Sequence, residues 1–332
     1  MAKPVNWESR IGRRLRLRDL HIFFGVVQWG SMAKAAKELG MSQPTVSEVI
    51  ADLEHTLGIP LFERSPKGVQ LTHYGRALHA RANSAFDELR QGVRDIEFLA
   101  DPTVGEIRMA CPESIAAAFL PDVIAEFARD HPRVALHVEQ VATPTFEFPE
   151  LRARKFDFVI ARVAPGKAPP DDELEIETLF EEDLVVIAGA QSRWAQNPNL
   201  EFADLIDAPW VFGDKNTWGR DWITEAFRTR GLREPANVVT TLSVHLRFHL
   251  AALGEHVTYV PRSILRVSQE RFGLCMLPVR LPRRGRVAIV TLKHRTLSPV
   301  VTLFLERLRA YVRSNALSRR LDVLEVSVPP LA

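Results

Sequence analysis

Residues 31–48 read SMAKAAKELGMSQPTVSE. Ser31 is a good N-cap, and Met32 to Leu39 forms a short helix in which Ala33, Ala35 and Ala36 let a neighbouring helix approach closely. Gly40-Met41 makes a tight turn. Ser42 caps a further helix, with Pro44 near its first turn, where proline is tolerated. Val46, Val49, Ile50, Leu53 and Leu57 give that helix one apolar stripe, and Gly58 ends it. Working upstream, Leu17 to Trp29 carries Leu20, Phe23, Phe24 and Val27 at helical spacing, and Gly30 stops it. Helix, Ala-rich helix, Gly turn and capped helix make a helix-turn-helix. In such a unit the later helix enters the major groove of DNA with its N-terminal residues at the base edges.

Downstream, Leu61-Phe62-Glu63-Arg64 and Val69-Gln70-Leu71 flank Ser65-Pro66-Lys67-Gly68, the pattern of a hairpin placed as a wing. The candidate DNA contacts are Ser31, Ser42, Gln43, Pro44, Thr45, Ser47 and Glu48, with Arg64 and Lys67 on the wing. Gln43 suits adenine edges, the hydroxyls suit bases or phosphates, and the wing cations suit phosphates or the minor groove.

The run Ser31 to Leu39, then Ser42-Gln43-Pro44-Thr45-Val46-Ser47, Leu53-Glu54, Leu57-Gly58, Leu61-Phe62-Glu63-Arg64 and Leu71-Thr72, resembles LysR-type transcriptional regulators. The resemblance implies a sequence-specific regulator that binds double-stranded DNA as a dimer, or as a tetramer built from two dimers. It also implies a small-molecule effector and no other cofactor, and RNA polymerase as a further partner if the protein activates. Two features depart from the family. Glu48 stands after Ser47, where a basic DNA contact is common; its carboxylate repels phosphates but accepts a hydrogen bond from cytosine. The chain also begins well ahead of the motif, and residues 1–16 form a basic extension with Arg10, Arg13, Arg14 and Arg16, followed by Arg18. This arm is expected to add phosphate contacts.

Charge supports a polyanion partner at the N-terminal end. Residues 1–80 hold 11 Lys/Arg against 7 Asp/Glu, while the remainder is close to neutral in a chain of net charge +2. The 332 residues, 46% of them hydrophobic and 25% charged, exclude a disordered or collagen-like chain and allow two or three domains. No stretch has the run of about 20 apolar residues a membrane helix needs, and no apolar signal core opens the sequence, so a cytoplasmic protein with no membrane partner is expected. Cys111 and Cys275 make neither a disulfide framework nor a zinc cluster.

From Thr72, a helical stretch reaches about Ala100. Leu78, Ala82, Ala85, Leu89, Val93, Ile96 and Leu99 recur in steps of three or four, a narrow seam of the coiled-coil kind. The alternative is an amphipathic helix packed on its own domain. The uncapped length and the resemblance favour dimerisation. Asp101-Pro102 ends the helix.

The rest alternates strand and helix patterns. Strands are expected at Gly105 to Ala110, Val134 to Val141, Phe156 to Ala161, Leu184 to Ile187, Trp210 to Phe212, Val238 to Thr241, Val257 to Val260 and Val287 to Leu292. Helices are expected at Ile115 to Arg129, Phe148 to Arg154, Asp221 to Arg230 and Ser298 to Arg313. The alternation implies α/β layers with mostly parallel strands. The layout is similar to the family's effector domain, which has two subdomains like those of periplasmic solute receptors.

The fold expected is therefore α plus α/β. It comprises the extension (1–16), a winged helix-turn-helix (17–72), a linker and dimerisation helix (73–101) and an effector-binding domain of the periplasmic-binding-protein type (104–332). Subdomain one takes 104–161 and 273–332, and subdomain two takes 162–272. Ligands of open α/β sheets bind beyond the carboxyl ends of strands. That rule and the resemblance nominate Cys111, Pro112, Glu113, Ser114, Thr143, Thr145, Arg162, Phe212, Gly213 and Trp218 as effector contacts, with Arg220 as a nearby cation.

No phosphate-binding loop, nucleophile elbow or His-Glu-x-x-His motif is present, so no enzyme is expected. His245 and His249, spaced i, i+4, lack a third ligand nearby in sequence, and no metal is expected there. A different reading makes the chain a small-molecule receptor whose N-terminal module contacts only proteins.

Overall fold

The computed structural model describes residues 14–65, 68–141, 147–163, 172–215, 217–281 and 284–314. The chain divides into two compact units, residues 1–90 and 91–332.

In the first unit, α1 (Leu17–Trp29) ends where Gly30 adopts φ +62°. α2 (Met32–Glu38) is capped by Ser31, whose side chain accepts the Lys34 N–H, and α3 (Gln43–Leu57) is capped by Ser42. Ala35 and Ala36 are buried, as close helix packing requires. Phe23, Val46, Ile50, Leu53 and Leu61 form the centre of the core, with the Phe23 ring 5.2 Å from that of Phe62. The wing is β1 (Phe62–Ser65) paired antiparallel with β2 (Gly68–Leu71). Glu54 ties it to α3, since one carboxylate oxygen accepts the N–H groups of Leu61 at 2.7 Å and Phe62 at 3.1 Å. Thr72 then caps the long helix α4 (His73–Ala100) by accepting the Gly75 N–H.

The expected seam on α4 divides into two parts. Leu78 and Ala82 pack on or face the first unit's core, while Leu89, Val93, Ile96 and Leu99 are exposed.

In the second unit, β3 (Val104–Cys111) pairs parallel with β4 (Arg133–Gln140) and with β5 (Phe158–Val163). The helix expected at Ile115 to Arg129 is two helices, α5 (Glu113–Ala116) and α6 (Leu120–Asp130). Pro121 lies in the first turn of α6; having no N–H to donate to the preceding turn, it starts a helix rather than continuing one. α7 (Pro149–Arg152) precedes β5.

β6 (Leu174–Gly189) is far longer than the Leu184 to Ile187 expected. Its first half carries Glu175, Glu177, Glu181, Glu182 and Asp183, which hide the strand pattern. Partners on other elements offset part of this charge: Arg309 grips Glu177 through two bonds of 2.8 and 2.7 Å, and Arg284 meets Asp183 at 2.9 Å. Residues up to Asp183 pair antiparallel with β11 (Arg284–Leu292), which also pairs antiparallel with β5. From Leu184 onward β6 pairs antiparallel with β9 (Val257–Pro261) and β10 (Leu274–Met276). β7 (Trp210–Phe212) lies parallel between β9 and β8 (Val238–Thr240). The strands are thus mixed rather than mostly parallel, because those joining the two halves run back against their neighbours. The strand pairing passes from one half to the other at Asp183–Leu184 within β6, not at residue 162 as the family resemblance implies, and it returns between β10 and β11 rather than at residue 273.

Helices α8 (Trp218–Arg228), α9 (Val244–Ala252), α10 (Arg262–Phe272) and α11 (Pro299–Ser314) flank the sheets. The sequence pattern does not predict α9, since its apolar residues lie on both faces: Phe248 and Ala251 are buried while Leu246 is exposed. Phe127, Phe158 and Phe304 centre one core; Trp210, Phe212, Trp222 and Phe227 centre a second.

Candidate DNA-binding surface and effector cleft

The beginning of α3 presents the nominated reading residues together. Ser42, Gln43, Pro44 and Glu48 are exposed, and Thr45 and Ser47 are half-buried. Ser42 Oγ accepts the Thr45 N–H at 3.3 Å and lies 2.8 Å from Thr45 Oγ1. The cap therefore also holds the Thr45 hydroxyl in one orientation. Ser31 is engaged as the cap of α2. The backbone places Arg64 in β1, and Lys67 lies outside the described residues.

Within the second unit, one cavity of about 390 Å³ opens at the carboxyl ends of β3, β4 and β9 and the N-termini of α8 and α9. Of the nominated effector residues, Pro112, Glu113, Ser114, Arg162 and Trp218 line it. Cys111, Phe212 and Gly213 are not among its lining residues, and Thr143 and Thr145 lie outside the described residues. Cys111 is fully buried in the core, with its thiol pushed up to about 11 by burial. Phe212 stacks on Trp210 at 5.0 Å, and Arg220 lies over the Phe212 ring 3.7 Å from its centre while pairing with Glu234 at 3.1 Å. Arg220 is thus held away from the cleft, and Arg247 takes its place as a cation there.

Three polar links organise the cavity. Arg162 is 4% exposed; its Nη1 donates to Ser114 Oγ at 2.6 Å and its Nε to Glu182 Oε1 at 2.8 Å. Its Nη2 lies at 2.8 Å from the same oxygen, an ion contact without hydrogen-bond alignment. The other Glu182 oxygen accepts the Ser263 N–H at the start of α10. Glu113 caps α9, accepting the N–H groups of Val244 at 2.7 Å and His245 at 3.3 Å. Arg247 donates to the carbonyls of Thr241 and Tyr259, while Tyr259 Oη accepts the Gly213 N–H at 3.0 Å. Burial holds the Arg247 guanidinium below its usual value, partly opposed by Tyr259 and Glu113.

Residues 100–313 match the family of the LysR substrate binding domain, and residues 17–76 match the bacterial regulatory helix-turn-helix protein, lysR family. The chain belongs to the LysR family of transcriptional regulators. Among similar proteins, the transcriptional regulator GbpR of Azospirillum brasilense is 29% identical, covering 92% of this chain and 89% of its own length. TdcA of Escherichia coli K12 is 26% identical, covering 94% and 97%. A full-length OxyR variant of Pseudomonas aeruginosa shares the fold with a TM-score of 0.63 at 23% identity, covering 90% of this chain and 95% of that one. CbnR in complex with its target DNA does so at 0.61 and 21%, covering 90% and 100%.

As a LysR-type regulator the protein is a DNA-binding transcription factor with a C-terminal effector-binding domain. Sequence reasoning reached five of the sixteen residues that line the cleft. It missed Gln140, Leu184, Thr217, Tyr259 and especially Arg247. An arginine inside an unrecognised helix carried no signal; the strand end at Tyr259-Val260-Pro261 did, by the carboxyl-end rule. Among the described residues no three metal-binding side chains cluster, and no helix is long and apolar enough to cross a membrane.

Proposed function

We propose that this LysR-type regulator reads its operator with the start of α3 and the wing, dimerises through the exposed half of α4, and responds to a small molecule held in the cleft. The observation that carries the reading is the pairing of two features in one chain. One is a capped, exposed reading end at Ser42 to Glu48; the other is a cavity at strand ends lined by elements from both sheets. Occupancy of that cavity shifts the balance between placements of the two sheets, provided the ligand prefers one of them. The regulator works in the cytoplasm as a dimer or a dimer of dimers, contacts RNA polymerase where it activates, and catalyses no reaction.

The test is binding of the full chain to the DNA upstream of its own gene against shuffled DNA, at two salt concentrations. Tight, sequence-selective binding that falls steeply with salt is expected. Binding that ignores both sequence and salt, with and without a metabolite extract, refutes the reading and favours a receptor whose N-terminal module contacts proteins.

A further inference from the structure

We propose that the ligand of the cleft is an organic monocarboxylate with a compact apolar body, its carboxylate received by Arg247 and Tyr259. The inference rests on the cleft being the effector site and names the class of effector.

Arg247 is 8% exposed, and among the described residues no carboxylate lies within ion-pair distance of it. Its nitrogens meet neutral oxygens only: the carbonyl of Thr241 at 3.3 and 3.0 Å, the carbonyl of Tyr259 at 3.3 Å, and the Tyr259 phenol. A buried cation without a counter-charge is costly unless something supplies one. The cavity's other cation, Arg162, already has Glu182. Glu113, on the same wall, is engaged with the N–H groups at the start of α9 and acts on Arg247 only at a distance, so the Arg247 guanidinium has no carboxylate in direct contact.

The groups beside Arg247 suit an oxyanion. Tyr259 Oη accepts the Gly213 N–H, so its own proton is left to donate; among the described residues it has no acceptor. The Thr217 hydroxyl spends its proton on the Asp214 carbonyl, so Arg247 and Tyr259 are the donors left for a ligand. A Cβ added to Gly213 would lie 2.7 Å from Arg247 Nη2, 2.8 Å from Thr217 Oγ1 and 2.9 Å from Tyr259 Oη. Arg247 Nη2 and Tyr259 Oη thus lie close together against the backbone of Gly213, where a side chain would not fit, which brings two donors of the cavity wall side by side.

The remainder of the wall sets the rest of the ligand. Trp218, Leu184, Leu242 and Val260 are apolar, which excludes inorganic phosphate as the natural occupant. The volume is near the low end for small-molecule sites, so one ring or a short branched chain fits. Glu113 argues against a dicarboxylate. Its carboxylate lines the same cavity and already takes the N–H groups at the start of α9, so a second ligand charge finds a like charge and no cation.

The experiment uses the full chain and matched pairs: phenylacetate with phenylacetamide, and 3-methylbutanoate with its amide, plus phthalate. Tryptophan fluorescence, with Trp218 in the wall, and thermal shift report binding. At least one acid should bind saturably and about tenfold or more tighter than its amide, as expected for a hydrogen bond to a charged group. Phthalate should bind more weakly than the monoacids. Arg247→Gln should abolish the preference for acid over amide, and Arg247→Lys should keep part of it. An amide that binds as well as its acid in the unaltered protein overturns the proposal, as does an acid bound equally by Arg247→Gln. If no acid binds while a metabolite extract still alters operator binding, the ligand class is wrong and the cleft reading stands. If neither acids nor extract alter operator binding, both fall.

Discussion

Single side chains set the chemistry of this regulator. Thr45 has its hydroxyl positioned by Ser42 before any DNA arrives, so reading requires little reordering. Thr45→Ala should weaken operator binding by about 1 kcal/mol, roughly fivefold, in a gel-shift titration while the oligomeric mass is unchanged. Unaltered affinity would mean that this hydroxyl does not read the operator. Glu182 is the other telling residue. It is 2% exposed and bonded to Arg162 and the Ser263 N–H. Glu182→Gln leaves Arg162 buried without its counter-charge and should cost about 3 kcal/mol in urea unfolding. Arg162→Met with Glu182→Leu should cost less than the single change, since no charge is then stranded. The two thiols, both raised by burial, point away from chemistry. Peroxide at a concentration that oxidises a thiolate cysteine should leave operator binding unchanged, because the thiolate is the reactive form.

Whole elements carry assembly. Along α4 the exposures of Leu89, Val93, Ile96 and Leu99 rise from 49% through 55% and 67% to 79%, an apolar stripe with no cover in the single chain. A stripe of that spacing buries itself against a second helix. Val93→Glu with Ile96→Glu should convert the protein to monomers in light scattering with its circular dichroism intact; retained dimers would assign dimerisation elsewhere. The sequence already displayed this seam, but not its division. Leu78 meets the first unit's core because α4 is packed there, as Phe86 and His79 show by edge contacts with Phe24 at 5.3 and 5.2 Å. Periodicity alone does not distinguish a face that meets its own domain from one that meets a partner.

Across the molecule, charge is concentrated at the DNA-binding end, so association with DNA must be salt-dependent. Deletion of residues 1–14 removes Lys3, Arg10, Arg13 and Arg14. The slope of log affinity against log salt should flatten by about one for each phosphate that the arm no longer touches. An unchanged slope would show that the arm does not touch DNA. The cleft lies in the other unit, and Glu113 joins its two halves: it stands at the start of α5 and caps α9. Glu113→Gln keeps the shape but removes a negative charge from the cavity wall. A carboxylate ligand should then reach half-response at a lower concentration, since a like charge no longer opposes it. Operator binding without ligand should change by no more than about twofold. A larger change would mean that this cap already sets the DNA-binding state.

Residue order alone reveals what is local. Caps, glycine turns and apolar spacing act within a few residues of one another, so the three helices of the first unit, their reading end at Ser42 to Glu48 and the long α4 are legible without a fold. The strand end of the cleft at Pro112 to Ser114 is legible for the same reason. Whatever depends on distant pairing emerges only in the folded chain. The acidic half of β6 is a strand because β11, about a hundred positions away, pairs along it, with Arg309 and Arg284 meeting some of its carboxylates. Arg247 belongs to the cleft because the carbonyls of Thr241 and Tyr259, on other segments, hold its guanidinium at the cavity wall. Charge compensation is long-range in sequence and short-range in space, so it becomes readable only once the chain has folded.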